Sequence, residues 1–315
     1  MGTAVNKPLV HVAVAVITRN DRRVLLAERP LGKLSGGHWE FPGGKFEIAE
    51  TPLQALTREL REEIGVDIDA AMPWLTYDHT YPDKIVRLHY HRVTAWHGTP
   101  RGREGQRVSW EDPSAPMVSP LLPANARIWQ ALMLPPVYAI TSAAKYGVSE
   151  FMLRLEDALQ RGLKLIQVRE NEMAPEQRAQ FARRVVSRAH YYGARVLING
   201  DETLARRVGA DGVHLSSAAL ARYTTRPMLP LVAASCHNSI ELQRASELGV
   251  DFAVLSPVLP TATHPGVKTL GWQQFHALTN EIAMPVFALA GMRLELLETA
   301  MQHGAHGVAL LSDIW

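Results

Sequence analysis

The spacing of apolar residues changes character near the middle of the chain. In the first part, apolar alternation marks Leu9 to Ile17, Val24 to Ala27 and Ile85 to Thr94 as strands. One stretch, Pro52 to Ile64, has helical spacing, with Leu53, Leu56, Leu60 and Ile64 on one face at about 100° per residue. After residue 136 the pattern becomes short apolar runs separated by helical segments: VYAIT at 137, LKLIQVR at 163, RVLIN at 195, GVHL at 212, LVAASC at 231, FAVLSP at 252, PVFALA at 285 and GVALLS at 307. Strands alternating with helices imply βαβ units, and eight such units close a parallel (β/α)8 barrel. The eighth run lies so near Trp315 that the last helix is truncated. Pro135 and Pro136 cannot continue a helix, so they form the expected linker between an N-terminal α/β domain (1–134) and the barrel (137–315). His97 to Pro123, rich in Gly, Pro and Arg, is the longest irregular stretch and is expected to be functional.

The predicted helix has physical ends. Thr51 as N-cap, Pro52 at the first helical position, Gln54 as capping-box partner and Gly65 just beyond the last turn all fit. Beside its apolar stripe, Glu59, Glu62 and Glu63 share a neighbouring face. Like charges at these spacings cost an isolated helix a few tenths of a kcal/mol per pair. A solvated acidic face would tolerate that cost; a hard divalent cation such as Mg²⁺, which takes carboxylate oxygens and shares substrate phosphates, would give it a purpose.

Composition narrows the classes. Of 315 residues 47% are hydrophobic and 20% charged, enough for packed cores. A single cysteine excludes a disulfide scaffold and suits a reducing compartment. The net charge of +2 is shared evenly by the two parts, which disfavours a direct nucleic-acid partner. No run of about 18 apolar residues occurs, and the first twenty residues lack the charged region and cleavage site of a signal peptide, so the expectation is a cytoplasmic protein without membrane contact.

Gly44, Glu50, Arg58, Glu59, Leu60, Glu62, Glu63, Gly65 and Val66 fit every fixed position of Gly-x5-Glu-x7-Arg-Glu-U-x-Glu-Glu-x-Gly-U, where U is aliphatic. The segment thus resembles the Nudix hydrolase family, which implies a Nudix α/β/α sandwich and hydrolysis of a phosphoric anhydride with Mg²⁺ (or Mn²⁺). HWEFPGGKFE at 38–47, YPDK at 81–84, GREGQ at 102–106 and PANARIW at 123–129 are similar to the MutT branch, the 8-oxo-dGTP diphosphatases. That branch implies a nucleoside triphosphate substrate cleaved to a monophosphate and pyrophosphate, a nucleotide-sanitising activity. The resemblance makes Glu59 the base, Arg58 and Glu50 its catalytic companions, with Arg58 orienting the glutamates. It places the metal on Gly44 (carbonyl), Glu59, Glu62, Glu63 and Glu104, and the substrate against Arg29, Phe41, Tyr81, Asp83 and Asn125. Arg29 would meet phosphate, and the Asn125 amide would read the oxidised purine. Plainer readings stand beside these: Arg29 as a surface arginine, Glu104 as a solvated loop acid, Asn125 as a helix N-cap, Phe41 and Tyr81 as core aromatics. Ala49 stands where the family usually has Gly.

Residues 137 to 315 resemble the thiamine phosphate synthase and TenI family through QVRE at 167, LING at 197, GADGVHL at 209, CHNSIE at 236, LSPVLPTATHPG at 256, ALAGM at 288 and GVALLS at 307. Two metal-binding carboxylates of the synthase pattern fall on Gly200 and Ala219, and the phosphate clamp reads Thr261-Ala262-Thr263-His264. A barrel site would draw on Arg169, Asn199, His237, Thr261, Thr263, Gly291 and Ser312, with a thiamine-related phosphate as ligand. His237 is either a proton carrier or structural, and Cys236 a buried filler. Three readings result: a MutT-type pyrophosphohydrolase carrying the barrel; a thiamine-pathway enzyme with a tautomerase-like barrel and a Nudix half acting on thiamine-related pyrophosphates; or a hydrolase regulated by a non-catalytic, ligand-binding barrel.

Overall fold

The computed structural model describes residues 7–32, 34–261 and 266–315. Two compact units divide between Met133 and Leu134. The first contains β1 (Leu9–Ile17), β2 (Val24–Glu28), β3 (Trp39–Glu40), β4 (Gly43–Lys45), α1 (Pro52–Ile64), β5 (Asp67–Thr80), β6 (Ile85–His97), β7 (Val108–Glu111), a 3-10 turn at Pro123–Asn125 and α2 (Ala126–Leu132). A mixed sheet runs β4-β1-β6-β5, with β1 and β6 parallel and the outer pairs antiparallel; a second, three-stranded sheet runs β3-β2-β7.

Helix α1 matches its expected bounds, and both halves of the Thr51/Gln54 capping box form. Gly65 closes the helix at φ 70°, the left-handed conformation that costs a glycine little. Ala55, Leu56, Leu60 and Ile64 are buried in one cluster with Ala13, Ala15 and Ile17 of β1 and Val93 of β6. Each large apolar side chain removed from water there stabilises the unit by about 1.5–3 kcal/mol. Leu53 departs from the expected stripe: it is exposed, in the first turn, and Ala55 takes the inner position. Alternation along β6 puts Val93 on the α1 side and Tyr90, three residues earlier, on the opposite side, where its hydroxyl meets Asn125 at the start of α2. The helices therefore flank the sheet on both faces, as an α/β/α sandwich requires.

The second unit contains β8 (Val137–Ile140), α3 (Ala143–Tyr146), α4 (Val148–Gln160), β9 (Leu165–Val168), α5 (Pro175–Tyr191), β10 (Arg195–Asn199), α6 (Glu202–Val208), β11 (Gly212–Leu215), α7 (Ser217–Leu220), β12 (Leu231–Cys236), α8 (Ser239–Leu248), β13 (Phe252–Leu255), α9 (Gly271–Thr279), β14 (Val286–Ala288), α10 (Leu297–Gln302) and β15 (Gly307–Leu310). All eight strands fall within or against the apolar runs and close into one parallel barrel. Tyr138, Ile140, Leu165, Leu197, Phe252 and Phe287 fill its interior, while Ala139, Ile166 and Val168 face the helices. Residues 311–315 form bends and turns, and the Trp315 ring packs edge-on against Phe151 of α4.

Two aspartates repeat one device between strands. Asp211, just before β11, accepts the Val196 N–H of β10 at 2.7 Å, and Asp251, just before β13, accepts the Val232 N–H of β12 at 2.7 Å. Each carboxylate is also paired outward, to His190 and Arg226 respectively. Among the described residues no helix is long and apolar enough to cross a membrane.

Candidate active site

The glutamates of α1 do not share one environment. At about 100° per residue, Glu62 and Glu63 flank Glu59 by roughly 60° on one side and 40° on the other. Glu63 leans toward β4, where Oε2 accepts the Gly43 N–H at 3.4 Å. Glu59 is 15% exposed, whereas Glu62, on the outer side, is 59% exposed. Burial, and next the neighbouring Glu59, push the Glu63 carboxyl up to about 7, partly offset by the Gly43 N–H; Glu40 and Glu104 add to the rise. So much negative charge in one partly buried place matches a site that a cation completes.

Gly44 is the other half of that place. A Cβ there would lie 2.0 Å from the Glu59 carboxylate carbon, so only glycine lets the β4 backbone and the carboxylate sit together. Among the described residues no three His, Cys, Asp or Glu side chains form a ready metal cage. The expected ligands Glu59, Glu62, Glu63 and Glu104 are thus not gathered into one such group.

Arg58 organises the group. Its Nε and Nη2 form a bidentate pair with Glu50 at 2.8 and 2.9 Å, Nη1 donates to Glu59 Oε1 at 2.9 Å, and Nη2 also reaches the Lys45 carbonyl at 3.0 Å. The guanidinium, and next the Glu47 N–H, hold the Glu50 carboxyl down at about 2. Glu50 is therefore committed to Arg58. The loop before it keeps a left-handed turn at Ala49, φ 67°, despite the absence of glycine.

Residues 101–106, inside the stretch expected to be irregular, dock on the end of α1. The N–H groups of Arg101 and Arg103 donate to the Ile64 and Glu63 carbonyls, Gln106 Nε2 donates to the Glu63 carbonyl at 3.0 Å, and Arg103 Nη1 to that of Arg61 at 2.9 Å. Helix-end carbonyls that would lack partners are thereby satisfied. The same docking brings the exposed Glu104 within electrostatic reach of Glu63.

Toward β6 the site becomes aromatic. Arg29 Nη1 donates to both Glu40 carboxylate oxygens at 2.7 Å, and Arg29 Nε donates to the Leu34 carbonyl at 3.0 Å. Glu40 lies close enough to raise the pKa of Glu63, Tyr81 and Tyr90 alike, which ties the acidic and aromatic ends together. Phe41 is buried, edge-on to Tyr90 with ring centres 6.4 Å apart. Tyr81 is half-buried, and Asp83 sits at the β5–β6 turn, exposed and 3.7 Å from Lys84. Asn125 is 6% exposed and makes no side-chain cap: Oδ1 accepts the Tyr90 hydroxyl at 3.0 Å, and Nδ2 is buried without a partner. Asn125 stands at the N-cap position of α2, as the plainer reading expects, but its side chain makes no capping bond. Glu40 of β3, Tyr77 of β5 and Tyr90 of β6 are not singled out by the sequence; for Tyr90 alone the alternation of β6 is a signal.

In the barrel, the candidate residues fall at strand ends. The Arg169 N–H donates to Thr141 Oγ1, and Asn199 Oδ1 accepts from Gln167 at 3.3 Å. His237 Nδ1 and its backbone N–H both engage Glu241 Oε2, at 2.9 and 2.7 Å. Gly291, at φ 68°, lies against Leu259 and Pro260, Ser312 is exposed, and Thr261 is half-buried. Thr263 lies outside the described residues. Gly200, at φ 69°, and the buried Ala219, the two positions where the resemblance expects carboxylates, carry none. Inside the barrel, His214 joins the Tyr138 hydroxyl at 3.1 Å to Ser235 Oγ at 2.8 Å, and burial holds its pKa down at about 3. Burial pushes the Cys236 thiol up to about 12.

Comparison with known proteins matches both units. The NUDIX domain model covers residues 9–134 and the thiamine monophosphate synthase model residues 137–314. An 8-oxo-dGTP diphosphatase of Proteus vulgaris is 46% identical over 91 residues, 29% of this chain and 81% of its own. A CTP pyrophosphohydrolase of Escherichia coli is 37% identical over 125 residues, 40% of this chain and 92% of its own. A thiamine-phosphate synthase of Thioalkalivibrio sulfidiphilus is 28% identical over 183 residues, 57% of this chain and 87% of its own. Members of the first family generally use divalent metals. The chain thus belongs to two families, being a NUDIX hydrolase of nucleoside diphosphate-linked substrates over residues 9–134 and a member of the thiamine monophosphate synthase family over residues 137–314.

Proposed function

We propose that the protein is a Mg²⁺-dependent nucleoside triphosphate pyrophosphohydrolase preferring 8-oxo-dGTP, releasing 8-oxo-dGMP and pyrophosphate. The observation that carries this reading is geometric: Glu59 is held by Arg58 against Gly44, where no Cβ would fit, and Glu63 beside it reaches the Gly43 N–H, so that two box carboxylates meet the β4 backbone. Glu59 and Glu63, with Glu62, Glu104 and the Gly44 carbonyl at the margin, would hold Mg²⁺. When bound, the cation neutralises the phosphate oxygens that would otherwise repel a nucleophile. Glu59, steadied by Arg58, takes the proton of the attacking water, and Glu50 keeps Arg58 in place. Arg29, paired with Glu40, would face the phosphates, the half-buried Tyr81 would line the base with Phe41 packed in the core behind it, and Asn125 would read its edge.

Glu59→Gln is expected to abolish Mg²⁺-dependent pyrophosphate release while leaving the circular dichroism spectrum unchanged; undiminished turnover would remove Glu59 from the chemistry. Substrate choice is read by competing 8-oxo-dGTP, dGTP, CTP and oxidised thiamine pyrophosphate on the full chain. Preference for the thiamine compound would replace the nucleotide reading by the thiamine-pathway one. For the barrel, we infer a phosphate-ligand site without synthase chemistry, because Gly200 and Ala219 supply no carboxylate and Glu241 restrains His237.

A further inference from the structure

We infer that Gln106 is a positioning residue of the hydrolase, its side-chain amide tying the backbone of Glu104 to that of Glu63 so that the loop carboxylate is presented to the cation beside α1. The inference rests on the reading of Glu104 as a cation ligand. Gln106 Oε1 accepts the Glu104 N–H at 2.8 Å, and Nε2 donates to the Glu63 carbonyl at 3.0 Å. One planar amide thus joins the main chains of two acidic residues that lie far apart in sequence. Gln106 is half-buried, whereas Glu104 is exposed, so the Glu104 side chain is placed by its backbone rather than by packing. The loop closes tightly on itself: a Cβ at Gly102 would lie 1.7 Å from the Gln106 carbonyl oxygen, so only glycine fits there.

The tether is not needed to finish the helix. The Glu63 carbonyl already accepts the Arg103 N–H at 2.8 Å, and the Ile64 and Arg61 carbonyls are met by the Arg101 N–H and the Arg103 guanidinium. A carbonyl oxygen has two lone pairs, and Gln106 takes the second of them on Glu63. What the amide adds is its hold on Glu104. Among the described residues the acidic side chains are not gathered into a cage, so what the fold fixes beforehand is the backbone from which each one reaches. Glu104 is close enough to raise the Glu63 carboxyl, which puts the separation kept by Gln106 within electrostatic range. Groups that hold a metal ligand from behind commonly govern affinity by about 10–100-fold. Gln106 acts in this way, through Glu104.

The test is the affinity of the full chain for Mn²⁺ without nucleotide, read from water-proton relaxation, together with hydrogen exchange at the Glu104 amide. Gln106→Met keeps the bulk and loses both bonds; Gln106→Asn keeps the amide but is one methylene too short to span them. Each is expected to weaken Mn²⁺ binding by about tenfold and to speed exchange at the Glu104 N–H. Glu104→Gln is expected to weaken binding to a similar extent, and Gln106→Met added to it to cost nothing more, because a residue that acts through another is not additive with it. Melting temperatures establish folding, and Gln106→Asn carries the test if Gln106→Met does not fold. Parent-like Mn²⁺ binding in the Gln106 variants, with Glu104→Gln weakened, would overturn the role of Gln106, as would full additivity in the double variant. Parent-like binding in Glu104→Gln would overturn the reading of Glu104 itself, and the inference with it; neither result bears on the nucleotide preference, which the competition assay reads separately.

Discussion

At the scale of single residues, the site depends on places where one side chain fits and another is tolerated at a cost. Ala49 is the clearest case of tolerance. Its φ of 67° puts a Cβ in the left-handed region, at a cost of about 1–2 kcal/mol relative to glycine. Glycine regains part of that in the folded state and loses part through its freer unfolded chain. Ala49→Gly is therefore expected to stabilise the first unit by about 0.5–1 kcal/mol, read as a raised midpoint in urea denaturation, with the Arg58–Glu50 pair unchanged. A lower midpoint would show that the turn is not strained.

At the scale of elements, local signals were readable and distant ones were not. Helix α1 declared itself through adjacent residues, Thr51, Pro52, Gln54 and Gly65, and the barrel strands through continuous apolar runs. The fourteen-residue β5 went unseen because Pro73 and register shifts between Ile68 and Leu75 break its alternation. Strand β7 went unseen because four residues within a Gly- and Pro-rich stretch carry little pattern. The box glutamates could be named from spacing, but the outward turn of Glu62 and the Tyr90–Asn125 bond, spanning 35 residues, belong to packing. The interior of the barrel yields a pH prediction of the same kind. Burial, and then Arg169, keep His214 neutral, with its pKa at about 3 against an ordinary value near 6.5. The unfolded chain binds that proton first, so stability from this group is complete above about pH 6.5 and declines toward pH 3, by at most about 1.4 kcal/mol per pH unit. His214→Gln is expected to flatten this acid limb in urea titrations between pH 6.5 and 4; an unchanged slope would show that His214 is not the group responsible.

At the scale of the whole molecule, each unit has apolar clusters of its own. Leu56 and its neighbours in α1 belong to one, and the barrel clusters share no residue with it. We propose that the units unfold separately, and Leu56→Ala tests this: it should destabilise one calorimetric transition by about 2–5 kcal/mol and leave a second in place. A single transition shifted as a whole would refute independence. Cys236 adds a consequence of another sort. It is the chain's sole sulfhydryl, fully buried in the barrel wall and held in the protonated form. Peroxide and electrophiles attack the thiolate, so the folded protein offers them no reactive sulfur anion. If its task is to clear oxidised nucleotides, the conditions that generate its substrate find no cysteine trigger by which to disable it.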